Sequence, residues 1–431
     1  MQNSKRNLDS LWAFHNEQWR EPSSVVAAAV GDHQPDPRLL NIRVQGEWWS
    51  LLDALKVNLL VGREYEHLLI MLGSLRGRPH CTYFPTPHPS GMAVDRKNRK
   101  VYVACTRNPN QILTFQNSRG LFNRRDLGKV GGAVIELPSI KQNSKSPDSV
   151  DNDSGRFGVG KEKLNKDERN YLMPIQSQYF PGSLYIHDMA VINNDLYVNA
   201  VGHNTIIKTA GDGGYEYVWW PKCVDHRGKP RTEANYLQLN SIAAGKDIRH
   251  SFFTASTARI SSRQPGHRNF LVDKQGVVFS GATREPMCRG LTRPHSARLH
   301  KGKIWLNNSG YGEWGRVEDR TFRSLLTLPG WTRGLCLYEG IAFVGTSRVI
   351  PRFKNYAPGL DVRRSLCGIF AIELKSQRIL GSIQWPYGNQ IFALEWIPQG
   401  WTDGFPYLYL PKKKSAHIKQ VFYTFQTRNG K

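Results

Sequence analysis

The sequence predicts an all-β protein, most simply a six-bladed β-propeller. Short apolar segments recur six times, each is followed across a turn by a second strand-like run, and no long stretch shows the 3.6-residue period of a helix. The first runs begin at Ser90, His187, Asn240, His295, Arg333 and Phe392. The second runs begin at Lys100, Asp195, Phe252, Lys303, Ile341 and Tyr407. We interpret each pair of runs as two strands of one blade.

The spacing of the first runs fits blades of four strands. Their starts are separated by 97, 53, 55, 38 and 59 residues, and a propeller blade takes about 40–50 residues before loop insertions. The longest interval contains a polar stretch at about residues 138–170, which we interpret as a mobile insertion. If that interval holds a further blade instead, the alternative is a seven-bladed propeller.

The segments outside the repeat are assigned in chain order. Residues 1–50 are a polar lead-in that packs on the ring, with a short helix predicted near Leu8–Trp19. The runs Val57–Gly62 and His67–Leu72 predict a hairpin that completes the last blade and closes the ring, which removes an open sheet edge. Residues 51–428 then form one propeller domain, with later strands predicted at Phe270–Asp273 and Val421–Phe425.

Composition limits the classes of partner and the compartment. The formal net charge of +24 favours anionic partners, but the basic residues are scattered and match no nucleic-acid-binding motif, so no specific nucleic-acid binding is expected. There is no run of 18 apolar residues, so no membrane insertion is expected. The N-terminus lacks the apolar core of a signal peptide, and the six cysteines contain no CxxC pair. Together these features predict a cytoplasmic protein with reduced thiols. They do not predict its oligomeric state.

Several sequence blocks resemble an uncharacterised, mostly bacterial family of predicted β-propellers, a conserved domain of unknown function. The blocks are His187-Asp-Met-Ala, Leu239-Asn240, Pro294-His-Ser, Leu306-Asn-Asn-Ser-Gly and Leu328–Gly334. The chain departs from the family pattern at Gln238, near a position that is often His, and at Ser241, where Gly is common. The resemblance implies the propeller fold and brings no reaction with it.

The first position of each repeat predicts a ring of polar side chains around the channel. Strand geometry makes aligned positions on the inner strands face one axis. Two imidazoles (His187 and His295) and one amide (Asn240) could converge on a divalent metal such as Fe, Mn or Zn. Arg333 could bind a carboxylate, phosphate or sulfate, and Ser90 could contact the same substrate.

These residues predict an enzyme that acts on a small anionic or polar substrate in the channel. His187, His295 and Arg333 are the candidate catalytic residues; Arg333, Asn240 and Ser90 are the candidate substrate-binding residues. The sequence does not separate a metal-dependent lyase, hydrolase, isomerase or oxidase. The alternatives are a purely structural ring of polar contacts and a non-catalytic propeller that binds a peptide, glycan or protein.

Overall fold

The computed structural model describes residues 35–75, 78–106, 110–117, 170–267 and 269–408. The helix expected near Leu8–Trp19, the strand expected at Val421–Phe425 and all but the last residue of the insertion at 138–170 lie outside these ranges. In the described part, no helix has the length and apolar character needed to cross a membrane.

The described chain opens with elements that border or complete the ring. In chain order they are a 3-10 turn (Pro37–Leu40), β1 (Arg43–Gly46), α1 (Trp48–Leu55), β2 (Val57–Arg63), β3 (Leu68–Leu75) and β4 (Arg78–Pro85). Helix α1 ends where Lys56 takes a left-handed conformation with φ of 53°. Its apolar face is buried on the ring, since the Trp48 ring lies edge-on to Phe343 with centroids 5.9 Å apart.

The next strands form blades one to three. They are β5 (Pro89–Asp95), β6 (Lys100–Cys105), β7 (Asn110–Asn117) and β8 (Leu172–Phe180); β9 (Ile186–Ile192), β10 (Asp195–Ala200), β11 (Thr205–Thr209) and β12 (Tyr215–Trp219); a small hairpin of β13 (Asp225–His226) and β14 (Lys229–Pro230); and β15 (Leu239–Ala243), β16 (Phe252–Ala255), β17 (Gly276–Ser280) and β18 (Pro286–Leu291).

The remaining strands form blades four to six. They are β19 (Pro294–His300), β20 (Lys303–Asn308), β21 (Glu313–Glu318) and β22 (Thr321–Thr327); β23 (Trp331–Tyr338), β24 (Ile341–Ser347), β25 (Cys367–Glu373) and β26 (Ile379–Trp385); and β27 (Ala393–Pro398) and β28 (Tyr407–Leu408). Short 3-10 turns occur between strands at Val201–His203, Lys222–Val224, Ile248–His250, Ser309–Tyr311, Pro351–Tyr356, Val362–Arg364 and Gln399–Trp401.

Each blade is an antiparallel sheet that runs from the channel outward. Blades one to four pair in chain order, and blade five adds β1 outside β26. Blade six has the order β27-β2-β3-β4-β28, so the chain's early strands share a sheet with its late ones. Strand β2 pairs with β27 from Val57↔Pro398 to Gly62↔Ala393. The ring is therefore closed as the sequence predicts.

The number of blades follows from the inner strands. Strands β5, β9, β15, β19, β23 and β27 contact one another in that order, and β27 returns to β5. Because this cycle is already closed, it leaves no place for a seventh blade. The prediction of a six-bladed propeller is confirmed.

Two strand assignments were wrong. The run at Tyr407 is not the second strand of blade six: it is the outermost strand β28, paired with β4. The second place belongs to β2, whose residues are all buried. Residues Phe270–Asp273 form no strand, because this stretch lies outside the sheet with Leu271 68% exposed, and β17 follows it instead.

The core consists of apolar clusters between neighbouring blades. In the described residues each of the six blade interfaces holds one such cluster. In β2, Leu59 and Val61 face blade five, whereas Leu60 faces blade one. Alternate residues of β2 thus pack against opposite interfaces, which explains why this strand is a largely apolar run.

The six cysteines all lie in the described part and are free. All except the half-buried Cys223 are buried. Burial raises the pKa of Cys81, Cys105 and Cys367 to about 12, so these thiols are protonated and chemically quiet at neutral pH.

Candidate functional site

A β-bulge at the start of the inner strands aims the first repeat residue. The pairing register shifts at this point in blades one to five, for example between His295 and Arg298 in β19 and between Thr332 and Leu335 in β23. An extra residue at a bulge bends the strand and changes where its side chains point. The first residue of each repeat is buried: Ser90 (0% exposed), His187 (4%), Asn240 (2%), His295 (6%), Arg333 (6%) and Phe392 (1%).

The second residue of the repeat links one blade to the next. In three consecutive blades its side chain accepts a backbone N–H from the following blade. The pairs are Asp188 with Ile242 (3.0 Å), Ser241 with Ala297 (2.8 Å) and Ser296 with Gly334 (2.9 Å). These bonds fix the relative positions of the inner strands, and so of the first residues beside them.

Three of the predicted site residues converge in one cluster. The ring centroids of His187 and His295 are 5.9 Å apart, and both rings stand edge-on to Phe392 at 5.4 and 5.7 Å. The guanidinium of Arg333 lies 4.0 Å from the centroid of Phe392. Phe392 is thus an apolar platform for two imidazoles and a cation.

Arg333 holds His295 in a defined tautomer. Its Nε and Nη2 lie 3.2 and 3.1 Å from Nε2 of His295. Because a guanidinium only donates, Nε2 carries the lone pair and Nδ1 carries the proton, which points to Oγ of Ser296 at 2.8 Å. Burial lowers the pKa of His295 well below 6.5, and the positive charge of Arg333 lowers it further. His295 is therefore neutral at pH 7.

Two further residues, which the sequence analysis missed, extend this cluster. With the Gln390 amide turned to match its neighbours, its oxygen accepts from Nη1 of Arg333 and its nitrogen donates to Glu64 at 3.0 Å. Glu64 lies in the turn between β2 and β3 and is 2% exposed. The amide connects the cation to a buried carboxylate from the ring closure.

Asn240 and Ser90 lie at the same level of the ring but make other contacts. The Asn240 amide donates to the carbonyl of Pro294 at 3.0 Å and lies 3.4 Å from Ser256. The Ser90 hydroxyl lies 2.8 Å from the carbonyl oxygen of Ile186 and so connects blades one and two. Neither polar group is directed at the His187–His295 pair by these bonds.

A charged cluster lies further along the inner strands, where Arg298 and Glu395 stand three residues after the first repeat positions of their blades. Arg298 is 2.8 Å from Asp188 and 3.8 Å from Glu395, which in turn lies 3.4 Å from Arg96. Burial alone would lower the pKa of Arg298, but the charges of Asp188 and Glu395 raise it above its ordinary value. Asp188 joins three blades through its bonds to Ile242 and Arg298.

A family model described as "Domain of unknown function (DUF4915)" matches residues 155–402, more than half of the chain. The chain belongs to this family. The predicted resemblance to an uncharacterised propeller family is thereby confirmed. No curated protein matches the sequence.

Solved structures similar to this DUF4915 protein are distant. A chain of a nidogen/laminin complex covers 80% of this chain and 99% of its own, with 8% identity and a TM-score of 0.46. A gluconolactonase from Xanthomonas campestris covers 70% and 77%, with 13% identity and a TM-score of 0.39. A luciferin-regenerating enzyme covers 70% and 77%, with 10% identity and a TM-score of 0.41. The fold assignment rests on the strand pairings themselves.

The side-chain geometry of this DUF4915 protein does not fit the metal site predicted at His187, Asn240 and His295. Nε2 of His295 faces two guanidinium N–H groups, and its Nδ1 faces Ser296, so neither nitrogen directs a lone pair toward an ion. A cation against the same imidazole also disfavours a second cation. In the described ranges no group of three or more His, Cys, Asp or Glu residues could hold a metal.

A second set of equivalent residues, here called the second ring, stands two residues before each first position of the repeat. The sequence analysis did not consider it. Its members are His88, Tyr185, Gln238, Arg293, Trp331 and Gln390. The Tyr185 ring is tilted against the His187 ring, with centroids 4.8 Å apart. The Trp331 ring lies 5.2 Å from the guanidinium of Arg333. Period-two alternation alone would have pointed to these positions.

Four members of this second ring share an uncommon backbone conformation. His88, Tyr185, Gln238 and Arg293 have φ values of 41°, 52°, 49° and 53°. Non-glycine residues seldom take positive φ, and such residues concentrate at ligand and active sites. No sequence pattern predicts this conformation. The expected cytoplasmic location and the absence of specific nucleic-acid binding remain predictions.

Proposed function

We propose that this chain is an enzyme that binds a small anionic molecule beside Arg333 in the propeller channel and transfers a proton on it. The observation that carries the proposal is the contact of Arg333 with a neutral, buried His295, with His187 beside it. A fixed cation can bind an anionic group, and a neutral imidazole can accept a proton.

In this proposal the anion and the base are coupled through one guanidinium. The N–H groups of Arg333 that now contact Nε2 of His295 are donors suited to a carboxylate. An anion that takes these donors frees the Nε2 lone pair. It also offsets the positive charge that lowers the pKa of His295, so the imidazole becomes a stronger base when the substrate is bound.

His187 supplies the second proton-transfer group. Its ring centroid is 5.9 Å from that of His295, so a small molecule held near Arg333 could reach both imidazoles. Two imidazoles beside an anion-binding arginine are suited to removing a proton from the carbon atom next to a carboxylate. We therefore favour an isomerase or a lyase among the classes that the sequence leaves open.

Proton abstraction can be tested without knowing the product. The protein is incubated in deuterium oxide with hydroxy acids, sugar acids and amino acids, and exchange of the proton next to the carboxylate is followed by NMR. We expect exchange with at least one compound, and a loss of about 100-fold or more in His295→Gln, as for removal of a general base. The exposed His226 provides the control His226→Gln, which should exchange like the wild type.

The opposite outcome is equally clear. If anions raise the melting temperature through Arg333 but no compound exchanges, the chain is a non-catalytic binding propeller. If neither binding nor exchange occurs, the ring is structural.

A further inference from the structure

Arg293 belongs to the second ring and lies beneath an aromatic turn. It is 4% exposed and directly precedes β19. Its guanidinium lies 3.9 Å from the centroid of Tyr356 and 5.7 Å from that of Phe270. Nη1 is 3.3 Å from Oγ of Ser256. The side chain is therefore held by aromatic rings and by polar contacts with Ser256 and Tyr356.

The charge of Arg293 has no counter-charge in the described residues. No carboxylate lies within 4 Å of it there, and its Nε and Nη2 are buried without an acceptor. Burial, together with the nearby charge of Arg333, lowers the pKa of Arg293 to about 10, although Tyr356 acts in the opposite direction. Burying a cation without a partner is costly, so buried arginines with only a structural role are normally paired.

Arg63 shows how the same chain pairs a structural arginine. It is fully buried, with Glu66 at 3.6 Å and with backbone carbonyls of Leu39 and Tyr387 as acceptors. Both terminal nitrogens of Arg63 thus have acceptors, whereas Nη2 of Arg293 has neither a carboxylate nor a carbonyl in the described residues. The difference points to a ligand that supplies the missing anion.

A row of aromatic rings connects Arg293 with Arg333. Trp331 lies 5.2 Å from the Arg333 guanidinium and 5.6 Å from Phe353. Phe353 stacks on Tyr356 at 5.5 Å, and Tyr356 covers Arg293. Phe353 and Tyr356 belong to the 3-10 turn Pro351–Tyr356, between β24 and β25. Because Tyr356 of this turn lies on Arg293, a ligand reaches that guanidinium only when the turn moves.

We propose that Arg293 and Arg333 are two anion-binding groups of one site, and that its ligand is a small molecule with two anionic groups, either two carboxylates or a carboxylate and a phosphate. The inference rests on the proposed function, since it names the substrate class for the same site. Arg333 takes the group next to the reacting carbon, and Arg293 takes the distal group.

Binding alone tests this inference, so catalysis is not required. Isothermal titration compares acetate with succinate, and glycerate with 3-phosphoglycerate. The wild type should bind the dianion of each pair about tenfold more tightly or better, as expected for one further charge-assisted contact. Arg293→Gln should lose this preference and keep the weak monoanion binding, whereas Arg333→Gln should lose both. Arg289→Gln, an exposed arginine on β18, should keep the wild-type preference.

The remaining outcomes separate this inference from the proposed function. Equal binding of mono- and dianions by the wild type, no binding of any of the four acids, or an unchanged preference in Arg293→Gln would overturn the inference even if proton exchange occurs. An Arg293-dependent preference without proton exchange would support it and refute the enzyme. If Arg293→Gln does not fold, Arg293→Lys keeps the charge but lacks the planar fork and should reduce the dianion preference.

Discussion

Arg293 and Arg298 lie five residues apart at the same blade, and both are largely buried, but their surroundings are opposite. Arg298 contacts Asp188 at 2.8 Å and lies 3.8 Å from Glu395. Arg293 has aromatic rings and a serine hydroxyl as neighbours, and no carboxylate within 4 Å in the described part of the chain. One repeat unit therefore carries a neutralised cation within β19, here called the deep layer together with Asp188 and Glu395, and an uncompensated cation just before β19, here called the entrance layer together with His295 and Arg333.

The comparison indicates how a propeller divides structural and binding roles along its axis. In the deep layer the charge of Arg298 is offset by Asp188 and Glu395. Asp188 also joins blades two, three and four. In the entrance layer, Nε and Nη2 of Arg293 have no acceptor in the described residues. The deep layer should therefore respond to mutation with a loss of stability, and the entrance layer with a loss of binding.

The largest expected effect is in the deep layer. Asp188→Asn removes one partner of a buried ion pair and leaves Arg298 with the more distant Glu395 alone, so the free energy of unfolding should fall by about 3 kcal/mol. Urea unfolding measures this loss. In the exposed pair Lys222–Glu285, also 2.8 Å apart, Glu285→Gln should cost only about 0–1 kcal/mol. Equal losses would mean that burial of the Asp188 pair is unimportant.

The next effect is a pH dependence at the entrance. The unfolded chain protonates His295 near its ordinary pKa of 6.5, whereas the folded chain protonates it only at much lower pH. Below pH 6.5 the unfolded state thus binds more protons, and stability falls as the pH falls, by about 1.4 kcal/mol per unit. From pH 6.5 to 5 His295→Gln should therefore lose about 2 kcal/mol less than the wild type.

Urea unfolding at several pH values measures that difference, and His226→Gln should follow the wild type. An identical pH dependence in His295→Gln and the wild type would show that His295 is not held neutral by its surroundings.

The smallest expected effect is that of metal removal. Because both nitrogens of His295 are engaged by Arg333 and Ser296, chelation should leave the melting temperature unchanged. Elemental analysis of protein purified without chelators should find no transition metal at one ion per chain. A stoichiometric ion that disappears in both His187→Ala and His295→Ala would contradict this interpretation.

The fold was largely predictable because blade strands carry a local signal. Alternate residues of β2 serve two interfaces, so the apolar run and its closure of blade six could be identified from sequence. The failure at Phe270–Asp273 has the opposite cause: an apolar stretch followed by a turn looks like a strand, although its Leu271 faces solvent.

The site was predictable only in part. Period-two geometry placed His187, His295 and Arg333 on one axis, and the structure brings them together. The Arg333–His295 contact depends on bulges, and Glu64 arrives from a turn more than 200 residues away in sequence from Arg333. Period-two alternation could have indicated the position of Arg293, but its positive φ could not be predicted from the residue type. Long-range contacts and backbone strain of this kind are not encoded in a local pattern.

The most direct test of the contrast between the two layers is one matched pair of substitutions, Arg298→Met and Arg293→Met, measured by urea unfolding without ligand. Arg298→Met should destabilise the protein by about 3 kcal/mol or more, because it leaves Asp188 buried without its cation. Arg293→Met should leave stability unchanged or raise it by about 1–3 kcal/mol, because it removes an unpaired buried charge. A loss in Arg293→Met as large as that in Arg298→Met would contradict the account, since Arg293 would then be a structural residue.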